Sequence, residues 1–293
     1  IYSRFSNPTV AMFEQRMCLL EGAEAARATA SGMAAVTASM LAQLKAGDHV
    51  VAARALFGSC LYVAENLLPQ LGVATTLVEG ADLAKWKEAV RKETKIFFLE
   101  SPTNPGLEIY DIKAIADIAH EAGAKLVVDN VFATPLLQKP LELGADVVVY
   151  SATKHIDGQG RSLGGVILAS QAIIDESIHN FLRQTGPAMS PFNAWVLLKG
   201  LETFSLRVER QTQSAERIAD EHRELKRFLR ERLYRHYRVV RMTSKARRVV
   251  RELFDSFQAD LRLLPEEHRQ VAERLEAREG PDGRARVCAA AWA

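Results

Sequence analysis

Asp146-Val-Val-Val-Tyr-Ser-Ala-Thr-Lys154-His-Ile-Asp-Gly-Gln-Gly-Arg-Ser-Leu-Gly-Gly165 is an apolar strand that empties into hydroxyl residues, a lysine and a glycine-rich loop. A short run of β-branched residues without polar alternation fits a strand covered on both faces, as in parallel sheets sandwiched by helices. The neighbouring sequence repeats the pattern. His49–Ala53, Ile96–Leu99, Lys125–Asp129, Asp146–Tyr150 and Gly165–Ala169 are the expected strands. Between them lie expected helices at Met33–Lys45, Gly58–Leu71, Asp82–Lys92 and Asp111–Ala122, with breakers such as Gly47 and Gly123 behind them. This alternation predicts an α/β fold with a largely parallel sheet between helices, whose ligands sit at the carboxyl ends of the strands.

Over 293 residues, 48% apolar and 25% charged composition is ample for a buried core and argues against a disordered chain. Cys18, Cys60 and Cys288 are too few and too scattered for a disulfide framework or a CxxC zinc site, which predicts a reducing, cytoplasmic setting. No apolar run approaches the roughly 20 residues of a membrane helix, and Ile1-Tyr2-Ser3-Arg4 lacks the apolar core of a signal peptide. The sequence starts without Met, as a fragment would. Its net charge of +2 conceals an asymmetry: residues 1–220 carry 20 Lys+Arg against 24 Asp+Glu, and residues 221–293 carry 18 against 12. Gly280 and Gly283 are the only glycines after residue 220, where the chain reads as basic helix throughout. A boundary is therefore expected near residue 220.

Three positions at strand ends and turns suit a phosphorylated carbonyl cofactor. Ser151 and Thr153 offer hydroxyls for a phosphate, and Lys154 offers an amine able to bond covalently to a carbonyl; a solvated lysine is the alternative. Asp129, closing the run Leu126-Val127-Val128, can hold the protonated nitrogen of a pyridine ring, or else cap a turn. Ala30-Ser31-Gly32-Met33 opens a helix whose free N–H groups suit a phosphate, or is an ordinary capped helix. Gly158-Gln-Gly160-Arg-Ser-Leu-Gly164 is not a dinucleotide fingerprint, because its spacing is wrong and a strand follows it.

Taken together, Tyr2-Ser3-Arg4 with Asn7-Pro8-Thr9, Ser31-Gly32-Met33-Ala34, Glu100-Ser101-Pro102-Thr103-Asn104-Pro105, Val128-Asp129-Asn130 and Ser151-Ala152-Thr153-Lys154 resemble the Cys/Met-metabolism family of pyridoxal-phosphate enzymes. Ile156–Arg161, the run Gly186–Trp195 and Lys199–Thr203 resemble its members that act on O-succinylhomoserine. The resemblance covers residues 1 to about 220 and implies the fold type I large domain of pyridoxal-phosphate-dependent transferases. It implies that Lys154 anchors the cofactor, Asp129 pairs with the ring nitrogen, and Gly32, Met33, Ser31, Ser151 and Thr153 surround the phosphate. Phe57 would stack on the ring where many relatives carry Tyr, and Asn104 would lie beside it. Tyr2 and Arg4 would reach into a neighbouring subunit and grip its phosphate, so dimers or tetramers with shared sites are implied. The implied reaction is a γ-replacement in methionine biosynthesis, O-succinylhomoserine and sulfide giving homocysteine and succinate. Cysteine as sulfur donor, cystathionine γ-synthase and γ-lyase chemistry, and an inactive interaction protein are the alternatives.

The family continues into a smaller domain bearing an arginine for the substrate carboxylate, and residues 221–293 do not match it. From about residue 222 to 290 the chain instead resembles the C-terminal helical part of deoxyguanosine-triphosphate triphosphohydrolase-like proteins. No His-Asp pair occurs in the sequence, so no hydrolase activity is expected there. The implied architecture is a cofactor-binding domain, 1–220, with an all-helical appendage of different origin, 221–293, as in a chimera. Tyr234, His236 and Tyr237 among arginines read as part of a solvated basic helix pair, with a nucleic-acid surface as the alternative.

Overall fold

A computed structural model describes residues 2–234 and 236–280; Cys288 and the side chain of Tyr234 lie outside the described residues. The chain divides into two compact units, Ile1–Thr212 and Gln213–Ala293. In the first, the described strands are β1 (Ala25–Thr29), β2 (His49–Ala53), β3 (Ala74–Val78), β4 (Thr94–Glu100), β5 (Lys125–Asp129), β6 (Val147–Ser151) and β7 (Gly165–Ala169). They form a single sheet in the order β1-β7-β6-β5-β4-β2-β3. Neighbours from β3 to β6 are parallel, and β7 alone runs against both β6 and β1.

The expected strand Asp146–Tyr150 is displaced by one residue. The Asp146 carboxylate accepts from Leu126 N at 2.7 Å and from His120 Nε2 at 2.9 Å, so it plugs the strand entrance while Ser151 joins the ladder opposite Gly165. The sequence pattern did not anticipate β1 and β3. Ala25-Ala-Arg-Ala-Thr29 has helical composition, but pairing with β7 places it in the sheet.

The helices of this unit are α1 (Pro8–Glu21), α2 (Gly32–Leu41), α3 (Gly58–Tyr62), α4 (Leu68–Gln70), α5 (Leu83–Glu88), α6 (Ile112–Glu121), α7 (Thr134–Leu137), α8 (Gln171–Ile173), α9 (His179–Thr185) and α10 (Pro191–Leu201). A wider π turn, Val63–Leu67, joins α3 to α4, so the helix expected over Gly58–Leu71 is present with one irregular turn. Asn7, Ser31, Asp82, Asp111 and Ser190 cap helix starts through their side chains. Two helices are shorter than expected. The one predicted to reach Lys45 ends at Leu41, because Lys45 N donates to Asp48 Oδ2 at 2.9 Å instead of continuing the ladder. The one predicted to reach Lys92 ends at Glu88, and Arg91 N donates to Thr94 Oγ1 at 2.8 Å.

The core lies against both sheet faces. Phe13 and Met17 of α1, Val147 to Val149 of β6, and Trp86 stacked on Phe97 at 5.6 Å are almost wholly buried. The second unit is helical. The last part of α11 (Phe204–Leu229) is followed by a π turn, Arg230–Tyr234, then α12 (Tyr237–Ala259) and α13 (Glu266–Glu279). Leu264 and Ala272 form its small buried cluster with Phe254, Phe257, Leu261 and Leu275. Among the described residues no helix is long and apolar enough to cross a membrane.

Trp86 loses all contact with water in the folded chain, whereas Leu71 is 48% exposed. Urea unfolding of Trp86→Ala should show a loss of about 3–5 kcal/mol, against about 0.5 kcal/mol or less for Leu71→Ala. Equal losses would contradict the packing described.

Candidate active site

The carboxyl ends of β4, β5 and β6 and the first turn of α2 surround a cavity of about 440 Å3. Each strand has an apolar middle and ends on a polar residue, Glu100, Asp129 or Ser151. The antiparallel return of β7 then sets α2 against this edge. A Cβ on Gly165 would lie 2.2 Å from the Ser31 carbonyl oxygen, and one on Gly32 would lie 2.4 Å from Ser151 Cβ. Only glycine permits either approach. Ser31 Oγ accepts from Ala34 N at 3.1 Å, leaving Gly32 and Met33 N–H as first-turn donors beside the Ser151 hydroxyl.

Lys154 lies one tight turn beyond β6, with its N–H donating to Ser151 O at 3.2 Å, and its exposed side chain lines the cavity. Asp129 is buried at the back. Desolvation pushes its carboxyl up to about 6, against the pull of the Val131 N–H, which donates to Oδ1 at 3.1 Å. Cys60 Sγ lies 4.0 Å from Asp129 Oδ2 and 3.9 Å from Met33 Sδ, and burial beside Asp129 pushes its thiol up. Glu100 is the second buried carboxyl. Burial first, then the Asp129 charge, pushes it up to about 7, although Phe57 N donates to Oε2 at 2.6 Å.

Ser31, Gly32, Met33, Phe57, Asn104, Asp129, Ser151, Thr153 and Lys154 therefore line one cavity. Thr153 also braces the loop behind it, since Gly164 N donates to Oγ1 at 3.1 Å and Oγ1 donates back to Gly164 O at 3.3 Å. Tyr2 and Arg4 are not brought to the cavity of their own chain. Arg4 donates to the Arg183 carbonyl and lies 4.7 Å above the Phe5 ring, while Tyr2 is largely exposed.

Sequence reasoning gave no role to Glu100, Cys60 or Arg207. Glu100 obeys the strand-end rule that located Asp129. Cys60 follows Phe57 by three residues, one turn along α3. Arg207, beyond the cavity, gives no signal of its own in the sequence.

The site fits a group carrying a phosphate, a basic ring nitrogen and an aldehyde: a glycine-cleared helix start, a buried acid and a reachable amine face the same space. The family model for Cys/Met metabolism PLP-dependent enzymes matches residues 1–237. The chain belongs to that family, whose cofactor is pyridoxal phosphate. It is 58% identical over 220 residues to O-succinylhomoserine sulfhydrylase of Mycobacterium tuberculosis, covering 75% of this chain and 54% of that protein. It is 40% identical over 220 residues to L-methionine gamma-lyase of Pseudomonas putida, covering 75% and 55%. The crystal structure of metB from Corynebacterium glutamicum superposes with a TM-score of 0.74 at 38% identity, over 79% of this chain and 58% of that one. The chain thus spans about half the length of the curated relatives it matches. A second model, the phosphohydrolase-associated domain, matches residues 212–289.

The raised Asp129 carboxyl has a consequence for stability. In the unfolded chain Asp titrates near ~3.9, so between about pH 4 and 6 the native state holds a proton there that the unfolded state has released. Native Asp129 therefore costs stability as pH rises through that window. In protein free of pyridoxal phosphate, Asp129→Asn should gain on the unsubstituted chain by a few kcal/mol from pH 4 to pH 7 in urea titrations. A difference independent of pH would show that the carboxylate is not desolvated.

Proposed function

We propose that this chain holds pyridoxal 5′-phosphate in the cavity and uses it for γ-replacement on an O-acylhomoserine, converting O-succinylhomoserine and sulfide into homocysteine and succinate. The observation that carries the reading is the convergence of Lys154, Asp129, Ser151 and the Gly32 helix start on one cavity, in a chain 58% identical to a sulfhydrylase.

In this reading Lys154 Nζ anchors the cofactor, and the Asp129 carboxylate accepts from the protonated ring nitrogen. The ionised acid then acquires the cationic partner that its burial demands. Ser151 Oγ and the N–H groups of Gly32 and Met33 hold the phosphate. Phe57 covers one ring face and Asn104 lies beside the ring. When bound, the cofactor supplies a sink for the electrons released from the substrate's Cα–H bond. Lys154 Nζ would be the base that takes the Cα proton and the acid that later returns one. Phe57 has no hydroxyl to share that work. Removal of a further proton at Cβ would supply the electron pair that expels succinate from Cγ with its bonding electrons; sulfide would then form the new C–S bond at Cγ, and protons would return to Cβ and Cα.

Tyr2 and Arg4 enter this reading as residues given to a neighbouring copy, so the working form is a homo-oligomer with shared sites; light scattering showing only monomer would count against it. We assign no hydrolase chemistry to residues 221–293, which have no His-Asp pair. We take them as a helical appendage of different origin from residues 1–220. A second reading, cofactor held without turnover, is favoured by the match of residues 212–289 to an unrelated family model.

The test is the visible spectrum of the purified chain with added pyridoxal phosphate, alongside Lys154→Ala, followed by borohydride trapping and peptide mapping. A visible band and a trapped adduct at Lys154, both lost in the variant, are expected. Their absence would overturn the cofactor reading. Homocysteine formed from O-succinylhomoserine and sulfide separates the proposed reaction from cofactor-holding alone, and faster turnover of methionine or cystathionine would move the assignment to a lyase.

A further inference from the structure

Beyond Lys154 the chain reverses within a few residues, and the turn leaves carbonyl groups with no backbone donor among the described residues. Asp157 N donates to Ala152 O at 2.9 Å and Gly158 N to Lys154 O at 2.8 Å, which satisfies the ends of the turn. The carbonyls of His155 and Ile156, the two residues after Lys154, are taken by a side chain remote in sequence. Arg207, near the start of α11, donates from Nη1 to His155 O at 2.8 Å and from Nη2 to Ile156 O at 3.1 Å. The same Nη2 reaches Gly200 O at 2.8 Å, and Nε donates to Thr203 Oγ1 at 3.1 Å. One planar guanidinium thus ties the turn after Lys154 to both α10 and α11.

Two glycines clear the space for this bracket. A Cβ on Gly158, whose φ is +71°, would lie 1.8 Å from Arg207 Nη1, and a Cβ on Gly200 would lie 2.4 Å from the Ile156 carbonyl oxygen. On the far side of the turn, the buried Asp157 accepts from Arg161 N at 2.7 Å and Gln159 N at 3.2 Å, and pairs with Arg161 Nε at 3.1 Å. The Lys154 side chain is exposed, whereas the backbone beneath it is hydrogen-bonded from two directions.

We propose that Arg207 is a positioning residue for Lys154: its fork on the His155 and Ile156 carbonyls fixes the turn from which Lys154 reaches the cofactor. The inference rests on the reading of Lys154 as the cofactor's anchor. A lysine at position 207 keeps the charge but cannot present two coplanar N–H groups to neighbouring carbonyls. Methionine keeps much of the stem and removes every donor.

The experiment compares the full chain with Arg207→Met and Arg207→Lys in two measurements. Without cofactor, hydrogen–deuterium exchange over residues 153–158 should quicken about tenfold in Arg207→Met, as the loss of charge-assisted bonds implies, while exchange in the buried strands β5 and β6 is unchanged. With pyridoxal phosphate, the circular dichroism of the visible band, divided by its absorbance, should fall by about half, with partial recovery in Arg207→Lys. That ratio reports how firmly the chromophore is oriented and does not change through lowered stability alone at temperatures well below unfolding. Unchanged exchange over residues 153–158, or a dichroism ratio equal to that of the unsubstituted chain, would overturn the proposal. If the unsubstituted chain gives no visible band, the cofactor reading fails by itself, and with it the role of Arg207 in holding Lys154 toward a cofactor; the exchange measurement then reports only whether the bracket exists. Should Arg207→Met fail to fold, Gly158→Ala crowds the same guanidinium and must give the same two changes.

Discussion

A strand packed between two helical layers has no face on which a polar side chain can reach water. Ile96 to Leu99, Leu126 to Val128 and Val147 to Val149 obey that constraint, being almost wholly buried along adjacent strands. Polar chemistry is driven to the strand ends, and the parallel ladder brings two of those ends level: Glu100 stands opposite Asp129 in register, while β6 runs two residues further, from Val149 opposite Asp129 to Ser151. The location of the site is thus a by-product of how the core is packed. So is its electrostatics, because the desolvation that stabilises Val127 and Val128 is what raises the carboxyl of Asp129 beside them.

The reversed strand β7 converts an edge into an enclosure. Running against β6, it leads the chain from the loop after Lys154 back under Ser31, so Gly165 meets the Ser31 carbonyl and Gly32 meets Ser151. A helix start, a hydroxyl and a lysine from distant parts of the sequence then face one space with little freedom to separate. Binding a phosphate between two elements that already touch costs less ordering entropy than gathering them would.

The strands with continuous apolar runs and the helices with capping residues were legible in the sequence because each signal is local. β1 was not, since Ala25-Ala-Arg-Ala-Thr29 favours helix and only its pairing with β7 makes it a strand. The premature ends of α2 and α5 depend on Asp48 and Thr94 capturing particular N–H groups, which no periodicity encodes. For the site, motif order and strand-end placement pointed to Asp129, Ser151, Lys154 and the Gly32 turn. Glu100 stood in a motif without a role, because its importance comes from proximity to Asp129 across the ladder. Arg207 is silent in sequence: an arginine on a charged helix looks solvated until the carbonyls it binds are seen.

The two buried carboxyls of the cavity differ in what they do. Both are raised by desolvation, and the charge of either one disfavours ionisation of the other. The pair therefore releases its first proton above the ordinary carboxylate range, and the second is held more tightly still. A cation entering the cavity meets two adjacent carboxyls, of which Asp129 is the one with no commitment to α3. Glu100 is also committed locally, since its Oε2 accepts from Phe57 N and so fixes the start of α3, whose aromatic lines the cavity. Position separates two chemically similar acids: Glu100 is tied to the start of α3, and Asp129 to the turn that follows its own strand. That separation comes from register and burial, before any ligand is present.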